Sequence, residues 1–147
     1  MLVERPPERG SPGVGSFRQS FVAEPQSALA ARRRLELLRG RVDEAVLYGL
    51  TVLVTELVAN SVKHSHSGLG DVVQLHVSLF GDCVRAEVID QGAGFDPDEL
   101  AGPRAGGEGG WGLFILDRMA ESWGVDHDQS TRVWFEIPRV DSGRAKV

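Results

Sequence analysis

Between Gln91 and Gly110 the chain places seven glycines and two prolines in twenty residues. A helix or strand interior does not form at that density, because glycine leaves the backbone too free and proline removes a hydrogen-bond donor. The segment therefore divides the chain into two parts that must fold around a long loop. Structureless stretches of this length inside a compact domain are uncommon, and are commonly lids or binding loops.

The flanking sequence carries regular periodicities. Residues 1 to 15, with Pro6, Pro7, Pro12 and several glycines, read as a disordered tail. Ser16 to Ala23 reads as a strand stopped by Glu24-Pro25. Gln26 to Arg39 reads as a helix with Ala28, Ala31, Leu35 and Leu38 on one stripe and Gly40 as its terminator. A second, longer helix runs from Asp43 to about Ser65, buried along Val46, Leu50, Val54 (or Leu53), Leu57 and Val58.

Two strands follow. Val73, Leu75, Val77 and Leu79 alternate with Gln74, His76 and Ser78, then Val84, Ala86 and Val88 with Arg85, Glu87 and Ile89, and Gly81-Asp82 marks the hairpin turn between them. After the loop come a helix from about Gly112 to Ser122 and two strands near Trp123–Asp126 and Arg132–Ile137. Residues 16–138 form one domain, and 139–147 a C-terminal tail. Helices and strands do not alternate strictly, which argues against a doubly wound parallel sheet. The expected fold is α+β: a two-layer sandwich whose mixed, mostly antiparallel sheet carries its helices on one face.

Bulk chemistry narrows the function. The net charge is -5, with only two lysines, Lys63 and Lys146. Positive charge sits mainly on arginine, notably the run Arg32-Arg33-Arg34. An acidic chain is ill suited to non-specific nucleic-acid binding. The single cysteine, Cys83, excludes an internal disulfide and reads as a strand residue rather than a nucleophile. No apolar run approaches the ~20 residues of a membrane span. The N-terminus lacks the apolar core of a signal peptide, so a cytoplasmic location is the default expectation.

Three motifs carry chemistry. Glu56, Asn60 and His64, spaced i, i+4, i+8, form a polar line along one side of the second helix. A carboxamide oxygen there can bind a hard cation, and a carboxylate one turn away can accept a proton or order a water. The same spacing also suits a solvated helix face. Val88-Ile89-Asp90-Gln91-Gly92-Ala93-Gly94-Phe95 ends a strand on an acid followed by Gly-x-Gly. Such a carboxylate can accept from the exocyclic amine of adenine while the glycines allow a flat ring to approach, although a tight turn would look similar. Gly106-Gly107-Glu108-Gly109-Gly110-Trp111-Gly112-Leu113 runs straight into an amphipathic helix, whose free N–H groups suit a phosphate. The motif lacks the G-K-[ST] of a P-loop and the βαβ setting of a dinucleotide fingerprint.

Taken in order, these motifs resemble the N, G1 and G2 boxes of the GHKL ATPase and kinase superfamily. Glu56-Leu57-Val58-Ala59-Asn60-Ser61-Val62-Lys63-His64, Gly110-Trp111-Gly112-Leu113-Phe114-Ile115-Leu116 and the closing strand from Thr131 are similar to those of the anti-sigma-factor serine kinases. The likeness spans about residues 16 to 138. It implies ATP and Mg²⁺ as cofactors, with Asn60 binding the metal and Glu56 acting as general base. Asp90 would bond adenine in a pocket shaped by Gly92, Gly94 and Phe95. Gly107, Gly109, Gly110, Trp111, Gly112 and Leu113 would hold the phosphates, Thr131 would sit near adenine, and Lys63 and His64 would line the site. The implied partners are a sigma factor and a small antagonist protein that receives the phosphoryl group on serine. A homodimer is also implied, for which the apolar side of the Gln26–Arg39 helix is a candidate surface.

One position departs from the pattern: Trp111 stands where related kinases often carry arginine. An indole N–H replaces a cation, which puts turnover in more doubt than binding. A kinase and a binding module that holds ATP without transferring phosphate therefore both remain open. A sensor-kinase catalytic domain is disfavoured, since no dimerisation helix pair precedes residue 16. A MutL- or gyrase-like ATPase is disfavoured for want of a transducer domain.

Overall fold

The computed structural model describes residues 5–63, 71–90, 112–127 and 130–140. Their elements are β1 (Phe17–Val22), α1 (Ser27–Leu35) extended by a 3-10 turn (Glu36–Leu38), α2 (Glu44–Lys63), β2 (Val72–Leu79), β3 (Cys83–Asp90), α3 (Gly112–Met119), β4 (Ser122–His127) and β5 (Thr131–Pro138). The strands form one five-stranded sheet in the order β1-β2-β3-β5-β4. The two-layer α+β arrangement expected from the sequence is present, and every pairing among the described strands is antiparallel.

Period-2 alternation decides which side of the sheet meets the helices. Leu75, Val77, Ala86, Val88, Val133 and Phe135 face α2, where they join Leu50, Leu53, Val54 and Leu57 in one apolar cluster. Each such side chain, fully withdrawn from water, contributes about 1.5–3 kcal/mol. Both Leu53 and Val54 are completely buried, so α2 buries a wider stripe than a single row. By length and mean hydropathy (1.6) α2 could also cross a membrane, contrary to the expectation that no run approaches that length. Half of it is buried inside the molecule, as befits a core helix.

Two helices end earlier than their periodicity predicts. The first was expected to reach Arg39, but its last turn tightens to 3-10 at Glu36–Leu38 and Arg39 is already extended (ψ 129°). The third was expected to reach Ser122 and stops at Met119, because Ser122 pairs with Glu136 as the first residue of β4. The apolar side of α1, a candidate subunit contact, is used inside the molecule: Ala31, Leu35 and Leu38 are buried in the core cluster. Gly49, midway along α2, allows α3 to approach closely, since a Cβ there would lie 1.8 Å from Met119 Cε.

One end of the other face of the sheet is not left to solvent. Residues 5–15, expected as a disordered tail, have no regular structure but lie along this face. Gly13 N–H donates to Leu79 O (2.7 Å) and Leu79 N–H to Ser16 Oγ (2.8 Å). Arg9 donates through Nε and Nη2 to the Glu136 carboxylate (2.9 and 3.1 Å), and Arg85 Nε donates to the same group (2.8 Å). Arg85 also donates to Pro7 O. Cys83, at the same end of the sheet, is buried, and that burial, aided by Glu136, pushes its thiol up to about 11. It is a packed strand residue and not a thiolate nucleophile.

Further along the same face His76 lies 3.9 Å from Glu87, which Arg132 also holds at 2.9 Å. Burial is the main cause that pushes His76 below its ordinary value. Arg18 and Arg132 act in the same direction, and Glu87 opposes them. The folded protein thus binds this proton less tightly than the unfolded chain, and stability falls as pH drops through about 6.5, the unfolded value. His76→Gln should flatten the loss of stability between about pH 7 and pH 5. Urea unfolding across that range measures it, and an unchanged slope would assign the effect to other groups.

Candidate functional site

Of the sequence-predicted residues, Glu56, Asn60, Lys63, Asp90, Gly112, Leu113 and Thr131 lie among the described ones. Asp43 N–H donates to Arg139 O (3.4 Å), which fixes the start of α2 beside the C-terminal end of β5. From there twenty helical residues extend over roughly 30 Å, and the eight-residue strands beneath over roughly 26 Å. Because α2 packs across β3 and β5, its last turns, with Glu56, Asn60 and Lys63, lie toward the opposite end of those strands. That is the end formed by Asp90 and Thr131, which are direct cross-strand partners.

Asp90 shares the helix-facing side with Val84, Ala86 and Val88, and Thr131 shares it with Val133, Phe135 and Ile137. Both are about 3% exposed, so two polar side chains stand together in the otherwise apolar floor under the helices. Burying polar groups costs free energy unless hydrogen bonds are met. Asp90 and Thr131 both have polar interactions within the structure.

Glu56 and Asn60 are half-buried, whereas Lys63 is exposed. Leu57, Val58 and Ser61, between them in sequence, are buried on the other side of the helix. The Nδ2 of Asn60 is buried without a hydrogen-bond partner among the described residues, and so is the hydroxyl of Thr55. One turn earlier the equivalent hydroxyl, on Thr51, donates back to Leu47 O (2.7 Å). Among the described residues, then, nothing accepts from the Asn60 amide nitrogen. The unpartnered nitrogen is a donor, which calls for an acceptor; the carboxamide oxygen is the atom of Asn60 that a hard cation such as Mg²⁺ could take.

The third component is the start of α3. Leu116 anchors this helix in the core, and its C-terminal Met119 meets Gly49 in the first half of α2. Ala120 and Glu121 then lead into Ser122, opposite Glu136. With its C-terminus held there, α3 directs its N-terminus at Gly112 toward the Asp90–Thr131 end. Gly112 and Leu113 are the first two residues of the helix. His64, Gly92, Gly94, Phe95, Gly107, Gly109, Gly110 and Trp111 lie outside the described residues.

The sequence reading did not single out Thr55, whose signal is only its place beside Glu56. It also missed the Arg9–Glu136–Arg85 cluster. There the available sign was an acid at an alternating position of a strand whose other face is apolar. Among the described residues no group of three or more His, Cys, Asp or Glu could hold a metal ion by itself.

A helix turn with a carboxylate and a carboxamide, a strand end with Asp90 and Thr131, and a helix N-terminus are the described parts of the candidate site. Residues 21–137 match the histidine kinase-like ATPase domain. Over 124 residues the chain is 30% identical to the serine-protein kinase RsbW of Listeria innocua, covering 76% of this chain and 79% of that protein. It is 28% identical, over the same shares, to the serine-protein kinase RsbW of Listeria monocytogenes serotype 4a.

Proposed function

The chain belongs to the histidine kinase-like ATPase domain family, and from that premise we propose that it is a Mg²⁺-ATP-dependent serine protein kinase. In this reading it acts as a homodimeric anti-sigma factor that phosphorylates a small antagonist protein and sequesters a sigma factor. The observation that carries the reading is the helical spacing of Glu56 and Asn60, one turn apart on α2, together with the buried cross-strand pair Asp90–Thr131. The relatives named as serine-protein kinases support the reaction class.

Each residue then has a task. Asp90 accepts from the adenine amine, and Thr131 sits beside the base. Gly92, Gly94 and Phe95 shape the adenine pocket. The amides around Gly107, Gly109, Gly110, Trp111, Gly112 and Leu113 hold the phosphates at the start of α3. Asn60 holds Mg²⁺, which supplies charge neutralisation on the transferring phosphoryl group. Glu56 takes the proton of the attacking serine hydroxyl. Lys63 and His64 line the entrance.

Calorimetric titration of ATP with and without Mg²⁺, on wild type and Asn60→Ala, tests the reading. Binding should depend on Mg²⁺ and weaken at least roughly tenfold in the variant, about 1.4 kcal/mol. A wild type that does not bind ATP would refute it. Trp111, in place of the arginine common in related kinases, favours a second reading in which the domain binds ATP and its partner without transferring phosphate. Tight ATP binding together with no phosphorylated serine on a copurifying partner would select that reading.

A further inference from the structure

The N-terminal segment has no part in the candidate nucleotide site. It meets β5 at Glu136, near the end of the strand remote from Thr131. Of residues 5–15 only Pro6, Arg9 and Gly15 are half-buried, and none joins the core cluster. Val14 is 77% exposed. A segment that withdraws so little apolar surface from water gains little from the hydrophobic effect, so its polar contacts must hold it.

Those contacts fall into two groups. At residues 13–16 the chain is fastened chiefly by its backbone: Gly13 N–H donates to Leu79 O, Ser16 N–H to Gly13 O, and Leu79 N–H to Ser16 Oγ. Gly15 makes the turn there at φ 99°, and a Cβ on it would lie 2.7 Å from Arg41 Cδ. At residues 7–9 the hold is through guanidinium groups, with Arg9 on Glu136 and Asp82 and Arg85 on Pro7 O. Between the two groups the segment stands off the sheet. Arg9, Gly10 and Ser11 line one side of a cleft of roughly 570 Å³, and Phe80, Gly81 and Asp82 the other. Side chains do not fill that space, so the middle of the segment has little packing to lose on lifting.

We infer that residues 5–12 are a latched strap, which lifts from the sheet as a unit about the fixed turn at residues 13–16 while the domain stays folded. Arg9 is the latch. Its release strands no buried charge: Glu136 keeps Arg85 at 2.8 Å, and Arg9, 26% exposed, turns into water. The open state therefore costs far less than unfolding the sheet, whose strands carry the core. Lifting uncovers the Phe80 ring, the Arg85–Glu136 pair and Cys83, whose thiol lies among the charges of Arg9, Arg85, Asp82 and Glu136. This end of the sheet thus has a closed and an open surface, and one ion pair sets the balance between them.

Trypsin reads the latch directly, because it must take the Arg9 side chain into its own pocket to cut before Gly10. Arg5 precedes Pro6, which blocks cleavage there. The full chain is digested in native buffer and in urea below its unfolding transition, and mass spectrometry follows release of the fragment that ends at Arg9. A free peptide of residues 5–13, digested in the same solutions, gives the rate for an unlatched segment. The protein should be cut at least roughly tenfold more slowly than the peptide, with a ratio that stays constant as urea rises, the mark of local opening. Asp82→Asn, at a side chain 77% exposed, should speed the cut roughly twofold to fivefold, and Glu136→Gln at least roughly tenfold. Once the fragment is removed, Cys83, the chain's one thiol, should react with a chromogenic disulfide at least roughly tenfold faster than in the intact protein. A ratio that climbs with urea along the unfolding curve would make residues 5–12 a fixed part of the fold and overturn the inference. So would a rate equal to that of the peptide, a rate indifferent to both substitutions, or a thiol no more reactive after the cut.

Discussion

Glu56→Gln is expected to leave ATP affinity close to wild type and to lower phosphoryl transfer by roughly 10²–10⁴-fold, the usual contribution of a positioned general base. The substitution keeps the size and hydrogen-bonding outline of a half-buried side chain on α2 and removes only its capacity to accept a proton. The core residues Val54, Leu57 and Val58, which help hold α2 in place, point away from Glu56, so the fold should be unaffected. Transfer of label from [γ-³²P]ATP to the copurified serine-bearing partner measures the effect, with calorimetry in parallel for binding. Undiminished transfer by the variant would remove Glu56 from the reaction. A parallel loss of ATP binding would instead make it a nucleotide ligand.

For stability the largest expected effect lies on the opposite face of the sheet. Glu136 is 1% exposed and accepts hydrogen bonds from Arg9 and Arg85. Arg9 is also held 3.3 Å from Asp82, and the guanidinium of Arg85 lies 5.0 Å from the centre of the Phe80 ring. The hydrogen bond to Glu136 is the main reason the Arg9 guanidinium holds its proton even more tightly than usual. Glu136→Ala would leave two cations facing each other beneath residues 5–15. Breaking a buried ion pair from one side costs about 3–5 kcal/mol. The lower end applies here because Arg9, 26% exposed, can turn back to water. Urea unfolding should show a loss of about 3 kcal/mol, and trypsin should cut the N-terminal segment faster at native conditions. A loss below about 1 kcal/mol would mean that the segment is held by its backbone hydrogen bonds alone.

The candidate site residues and the N-terminal segment differ in how far they could be foreseen. Glu56, Asn60, Asp90 and the start of α3 could be named from the chain alone because each belongs to a local pattern with its own physics. These are a polar line at helical spacing, an acid at the end of an alternating strand, and glycines feeding a helix. The same holds for β2 and β3, where an uninterrupted period of two leaves one side for the core. Element ends were less legible. Whether the third helix reaches Ser122 depends on β5 offering Glu136 as a cross-strand partner, a contact between residues fourteen apart.

Local pattern thus determined the α+β class and the apolar faces and marked the candidate chemistry-bearing residues, since these follow from periodicity and side-chain type over a few neighbours. Only the tertiary structure decided the strand order β1-β2-β3-β5-β4 and the pairing of Asp90 with Thr131 at the end of β3. It also decided that residues 5–15 cover a sheet face. Composition marks such a segment as unable to form a core of its own. It cannot show that Arg9 finds Glu136, because an ion pair 127 residues apart in sequence leaves no periodic trace and exists only once the sheet has assembled.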